Sequence, residues 1–134
     1  MEALNILVAD DNRVNLRLIE TMLKRLGHRV TCAVDGLEAV ACYEEQQPDL
    51  VFLDVMMPGI TGFEAARRIR AQQGNNWRPI IFISALTDTD HLVEGLEAGG
   101  DDYLFKPVNL TLLQSKLISV ERVLSMQRRM FLAL

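Results

Sequence analysis

The sequence predicts an α/β fold, a doubly wound parallel sheet of five strands that alternate with five helices. Three observations carry this. Leu50-Val51-Phe52-Leu53 and Pro79-Ile80-Ile81-Phe82-Ile83 are continuous apolar runs rich in strand formers, the pattern of strands buried on both faces. Segments of strand character alternate with segments of helical periodicity along the whole chain, which calls for parallel pairing with helical crossovers. Right-handed crossovers then place helices on both faces of the sheet. The chain has 134 residues, 49% hydrophobic and 24% charged, which suits one globular domain with one core.

Asn5-Ile6-Leu7-Val8-Ala9 is the first strand, and Asp10-Asp11-Asn12 ends it and can cap the next helix. Val14, Leu18, Met22 and Leu26 recur at helical spacing, with Ile19 and Leu23 beside them, so the first helix spans Arg13 to Leu26 and closes at Gly27. Arg29 to Ala33 is the second strand and Asp35-Gly36 a turn. The helix carrying Leu37, Val40, Ala41 and Glu44 ends before Pro48. The third strand, Leu50 to Asp54, is followed by Pro58-Gly59, which interrupts regular structure. A third helix begins near Thr61 and carries Phe63, Ala66, Ile69 and Arg70. Gly74-Asn75-Asn76 is a loop, with Trp77 after it as an anchor against the sheet edge. Pro79 to Ser84 forms the fourth strand, Asp90 to Ala98 the fourth helix, and Asp102 to Phe105 the fifth strand, ended by Lys106-Pro107. From Asn109 to Leu134 there is no Gly or Pro, so one helix of about 39 Å fills the remainder.

No apolar run approaches the roughly 20 residues that span a bilayer, and Met1-Glu2-Ala3-Leu4 lacks the basic and apolar regions of a signal peptide. A cytoplasmic setting without membrane contact is expected. Cys32 and Cys42 have neither CxxC spacing nor a histidine partner, so they read as buried thiols in a reducing compartment. His28 and His91 lack ligand spacing and read as surface residues. The net charge of −4 and the absence of a basic run argue against direct binding of nucleic acid.

The chemistry-bearing residues fall at strand ends. Asp10-Asp11, Asp54, Ser84 and Lys106 follow the first, third, fourth and fifth strands, where open α/β sheets place their sites. Singly, each has an ordinary role as a helix cap, turn residue or solvated lysine. Four such signals at the ends of otherwise apolar strands point to one cleft. Carboxylates gathered there repel one another, and Mg²⁺, a hard cation that takes oxygen ligands, relieves the repulsion. Asp11 and Asp54 are the expected direct ligands, Asp10 a ligand through water, and the backbone carbonyl of Met56 a further one. With Lys106 as a fixed cation, Asp54 can attack a phosphorus in line, while Ser84 donates a hydrogen bond to a phosphoryl oxygen.

These residues resemble the receiver domain of two-component response regulators. The likeness rests on Asp10-Asp11, on Asp54-Val55-Met56-Met57-Pro58-Gly59, on Ser84-Ala85 and on Gly100-Asp101-Asp102-Tyr103-Leu104-Phe105-Lys106-Pro107, and it covers about Leu4 to Val120. It implies a flavodoxin-like sheet of order 2-1-3-4-5, the order known from a chemotaxis receiver. It also implies a cis Lys106–Pro107 bond and phosphoryl transfer to Asp54 from a histidine kinase or a histidine phosphotransfer protein. Ser84, where the family more often has Thr, would then move toward the phosphoryl group. Tyr103 would rotate inward behind it, and the face made by the fourth helix, fifth strand and fifth helix would change. The chain is thus expected to be a phosphorylation-dependent signalling module, not an enzyme with a separate substrate. It would catalyse its own phosphotransfer and slow dephosphorylation, since Met56 and Leu86, two residues past Asp54 and Ser84, are apolar and cannot activate water.

Other functions fit less well. A pseudo-receiver would lack part of the acid set. A haloacid-dehalogenase-like phosphatase has a second Asp two residues past its nucleophile, where Met56 stands. A flavodoxin needs a phosphate-cradling loop after the first strand, and Asp10-Asp11-Asn12 would repel that ligand. The expected organisation is a receiver domain over 1–121 and, over 122–134, an extension of the last helix leading to an output domain. Leu113, Leu117, Val120, Leu124, Gln127, Phe131 and Leu134 follow heptad steps with one polar interruption at Gln127. They suggest a homodimer through this helix, or through the face beside it, with Leu124, Met130, Phe131 and Leu134 left in water on a lone domain.

Overall fold

The computed structural model describes residues 2–133. Strands β1 (Asn5–Ala9), β2 (Arg29–Ala33), β3 (Leu50–Asp54), β4 (Ile80–Ser84) and β5 (Asp102–Phe105) form one parallel sheet in the order β2-β1-β3-β4-β5. Between and after them run α1 (Arg13–Arg25), α2 (Gly36–Gln46), α3 (Gly62–Gln73), α4 (Thr89–Glu97) and α5 (Leu110–Ala133). The expected flavodoxin-like order and all five helices are present.

Alternation along each strand divides the core in two. Leu7, Ala9, Val51, Leu53, Ile80 and Phe82 point to the face covered by α2, α3 and the end of α4. Ile6, Val8, Leu50, Phe52, Ile81 and Ile83 point to the face covered by α1 and α5. Every residue of β3 and β4 is buried, which explains why those strands read as continuous apolar runs. The register pairs Ala9 with Leu53, Asp54 with Ile83 and Ser84 with Phe105, so the carboxyl ends of β1, β3, β4 and β5 finish level.

Several local expectations need correction. The core face of α1 is Leu16, Ile19 and Leu23, whereas Val14 is 77% and Leu18 45% exposed. The helix carries apolar residues on two lines, and packing rather than periodicity selects one. Gly36 is the first residue of α2, with Asp35 as its cap accepting from Glu38 N, and not part of a free turn. His28 is buried, and Cys32 and Cys42 are free and only partly buried. Trp77 lies in the loop before β4, with the Arg70 guanidinium 5.8 Å from its ring centre.

Helix α5 begins where Asn109 Oδ1 accepts from Leu112 N at 2.9 Å. Its heptad line faces the domain. Leu113, Leu117, Val120 and Leu124 are all buried against the sheet, so Leu124 is not left in water. Gln127 lies on the same line and hydrogen-bonds to the loop before β4. Met130 and Phe131 are exposed; Leu134 lies outside the described residues. No helix among the described residues is long and apolar enough to cross a membrane.

Candidate functional site

The level strand ends bring Asp10, Asp11, Asp54, Ser84 and Lys106 to one edge of the sheet. Asp10 is fully buried; its N–H donates to the Ala33 carbonyl, and its Oδ1 accepts from Asn12 N at 2.9 Å. Asn12, alone of the three polar residues here, caps α1, accepting from Val14 N and Asn15 N. Capping therefore leaves the carboxylates of Asp10 and Asp11 free for other work. Asp54 is 5% exposed, and its Oδ1 accepts from Met56 N at 3.3 Å. Lys106 Nζ donates to Asp54 Oδ2 at 2.9 Å and lies 3.4 Å from Asp10 Oδ2. The Lys106 N–H donates to the Ser84 carbonyl, and the Lys106–Pro107 bond is cis.

Burial, followed by the proximity of the Asp54 carboxylate, pushes the Asp10 carboxyl up to about 6, while the Asn12 N–H and Lys106 pull the other way. Burial alone would lower the Lys106 pKa. The hydrogen bond and charge of Asp54, with the charge of Asp10, outweigh it and hold Lys106 above its ordinary value.

One lysine does not neutralise three carboxylates. Oxygens of Asp10, Asp11 and Asp54 lie within 4.8 Å of one another, and Asp10 Oδ2 is buried without a hydrogen-bond donor among the described residues. Such an orphaned oxygen in an all-oxygen donor set fits a hard divalent cation. Met56 is 62% exposed.

Ser84 Oγ accepts from Leu86 N at 2.9 Å, so the hydroxyl is engaged by the following loop. Tyr103 stands inward, only 8% exposed, stacked on Phe105 and against Phe82. Its hydroxyl donates to the carbonyls of His91 and Leu92 in α4. The inward position expected to follow Ser84 movement is therefore already adopted while Ser84 bonds to its own loop.

Two glycines matter here that sequence reasoning did not single out. A Cβ on Gly62 would lie 2.1 Å from the Asp54 carbonyl oxygen, so only glycine lets α3 start against the strand end. A Cβ on Gly95 would lie 1.9 Å from the Tyr103 hydroxyl, so Gly95 makes the space that the inward ring occupies. The position of Gly62 four residues after Pro58 was a readable signal; that of Gly95, inside a helix, was not. Val14 and Leu18 were also missed as surface. Leu18 shares a small cleft with Lys106 and Pro107.

Comparison with known proteins agrees with this geometry. The family profile described as the response regulator receiver domain matches residues 6–118. The transcriptional regulatory protein AfsQ1 of Streptomyces coelicolor is 44% identical over 117 residues, covering 87% of this chain and 50% of that protein. The response regulator PleD of Caulobacter vibrioides is 37% identical over 117 residues, covering 87% of this chain and 26% of PleD. The chain thus spans from about a quarter to half the length of these relatives. Among solved structures, the chemotaxis protein CheY4 of Vibrio cholerae superposes with a TM-score of 0.84 at 30% identity, over 89% of this chain and 99% of that one. The receiver domain of the sensor histidine kinase PA1611 of Pseudomonas aeruginosa, which has a magnesium ion coordinated in its active-site cleft, gives 0.81 at 39% identity, over 89% and 98%.

Proposed function

The chain belongs to the response regulator receiver domain family of two-component systems, and from that premise we propose that Asp54 is its phosphoacceptor. The carrying observation is the Lys106 ammonium set between Asp54 and Asp10, with the Asp10 oxygen it faces at 3.4 Å accepting no hydrogen bond among the described residues. Asp10, Asp11, Asp54 and the Met56 carbonyl would hold Mg²⁺. When bound, Mg²⁺ neutralises charge on the transferring phosphoryl oxygens.

A histidine kinase or histidine phosphotransfer protein supplies the phosphoryl group. As the Asp54 carboxylate forms its bond to phosphorus, the P–N bond to the donor imidazole breaks and its electron pair stays on that nitrogen. Lys106 holds the Asp54 carboxylate in place and then pairs with the transferred oxygens. Ser84 leaves Leu86 N to bond the phosphoryl group, and the face of α4, β5 and α5 shifts with it. The exposed Val14 and Leu18 form an apolar rim over which the donor protein approaches. The receiver unit covers 1–121, and 122–134 leads toward an output domain in the cytoplasm. Binding of nucleic acid, where a relative is a transcriptional regulator, belongs to such an output domain rather than to this acidic chain.

Acetyl phosphate with Mg²⁺ should add one acid- and base-labile phosphoryl group by intact mass, and none in Asp54→Asn. The adduct should decay slowly, and faster in Met56→Asn, where an amide can orient water. Equal labelling of Asp54→Asn would overturn the assignment.

A further inference from the structure

The polar residue that interrupts the apolar line of α5 ties the end of that helix, beyond its buried leucines, to the domain. Gln127 Oε1 accepts from Arg78 Nη1 at 3.0 Å, and Gln127 Nε2 donates to the Trp77 carbonyl at 3.0 Å. The Trp77–Arg78 segment is pinned from its other side. The Arg78 carbonyl accepts from Arg70 Nη1 at 2.6 Å and from Gln73 Nε2 at 3.2 Å, and the same Gln73 nitrogen donates to the hydroxyl of buried Tyr43 at 2.9 Å. Arg70 also reaches the connection between α4 and β5. Its Nε donates to the Gly99 carbonyl at 2.8 Å and its Nη2 to Asp101 Oδ2 at 2.5 Å, while that oxygen accepts Ile80 N at 2.8 Å.

We propose that Gln127 and the Trp77–Arg78 segment form a clasp that holds the tail of α5 on the domain, and that Arg70 couples this clasp to the α4–β5 connection. This rests on the phosphoacceptor reading, because occupancy of the site is what would move α4 and β5. The clasp has a fixed half and a detachable half. Arg70 and Gln73 anchor Trp77 and Arg78, whereas past Leu124 the tail has little to hold it besides Gln127 and an exposed Arg128–Glu2 ion pair at 3.6 Å: Met126, Met130, Phe131 and Leu132 are all at least half exposed. Both Gln127 hydrogen bonds are only partly shielded from water, so the tail opens locally long before the domain unfolds. The coupling comes from the guanidinium. It is a rigid planar fork, and here it serves the Gly99 carbonyl, Asp101 and the Arg78 carbonyl at once. Tyr103 bonds to carbonyls of α4, and Gly99 follows the end of that helix, so a shift of α4 reaches an acceptor that Arg70 shares with the clasp.

Hydrogen–deuterium exchange of the whole chain, with and without beryllofluoride and Mg²⁺, tests this. Peptides covering 50–60 report independently whether the mimic binds. In the wild type the mimic should change exchange over 125–133. Gln127→Met, which keeps volume and loses both hydrogen bonds, should speed tail exchange about tenfold or more and abolish the response to the mimic. Arg70→Lys should also abolish the tail response while the 50–60 response persists. Should Arg70→Lys fail to fold, Gln127→Met decides alone. A tail that exchanges identically in the wild type with and without bound mimic, or that keeps its response in Gln127→Met, overturns the proposal. Loss of protection over 50–60 itself would instead count against the phosphoacceptor reading.

Discussion

The imidazole of His28 accepts a hydrogen bond at Nδ1 from Leu4 N at 3.0 Å, and its Nε2 is buried without a partner among the described residues. The first fact requires the neutral ring with its proton on Nε2, and the second disfavours adding a charge there. Burial lowers the His28 pKa, against an opposing pull from Glu121. The unfolded chain therefore binds a proton near pH 6.5 that the folded chain binds only at lower pH. His28 should contribute its full stability above that value and lose it as pH falls toward the folded pKa. Urea midpoints of wild type should thus drop between about pH 6.5 and 5 more steeply than those of His28→Phe, which cannot titrate. Parallel pH profiles for the two proteins would show that His28 does not gain a proton on unfolding. The burial of His28 was not legible in the sequence, because it depends on a segment 24 residues away, whose Leu4 N–H reaches the ring. Asp10, Asp54, Ser84 and Lys106 were legible as candidates for the opposite reason: each is a polar residue placed at the end of an apolar strand, and the register alone gathers them.

Among the elements, α4 shows how a poor helix residue can be required by its neighbours. Gly95 costs its helix roughly 0.5–1 kcal/mol relative to alanine. A Cβ there would meet the Tyr103 hydroxyl at 1.9 Å and Phe63 at 3.0 Å. Gly95→Ala should therefore destabilise the domain by about 1–3 kcal/mol by displacing the ring. In a Tyr103→Ala background only the 3.0 Å approach to Phe63 remains, and that ring can move into the vacated space, so the same change should cost markedly less. Denaturant melts of the four proteins give the cycle, and an equal cost in both backgrounds would show that Gly95 is not there for Tyr103. Strands and caps were well marked in the chain; which line of an amphipathic helix faces inward was not. α1 and α5 each carry two apolar lines. On α1 the core takes Leu16, Ile19 and Leu23 and leaves Val14 and Leu18 outside, whereas on α5 the heptad line that suggested a partner is the one that packs on the sheet.

For the whole molecule, the surface left over on α5 runs through Ser119, Val123, Met126 and Met130, again in steps of four, three and four. A second copy of the chain is the expected occupant of this exposed line. Sedimentation should show self-association that strengthens with beryllofluoride and Mg²⁺ and disappears in Met126→Glu with Met130→Glu. A monomer at every concentration in both states would refute the pairing. The sheet also sorts the molecule by direction. The carboxylates of Asp10, Asp11 and Asp54 and the Lys106 ammonium lie at the carboxyl ends of the strands, while Arg78 and Asp101, which lead into β4 and β5, stand with Gln127 at the opposite rim. A five-residue strand separates the two rims by about 17 Å. Inheritance can therefore rework one rim without the other. A substitution at the tail's contacts changes no residue of the aspartate cluster, so what the tail engages can vary while the cluster stays as it is.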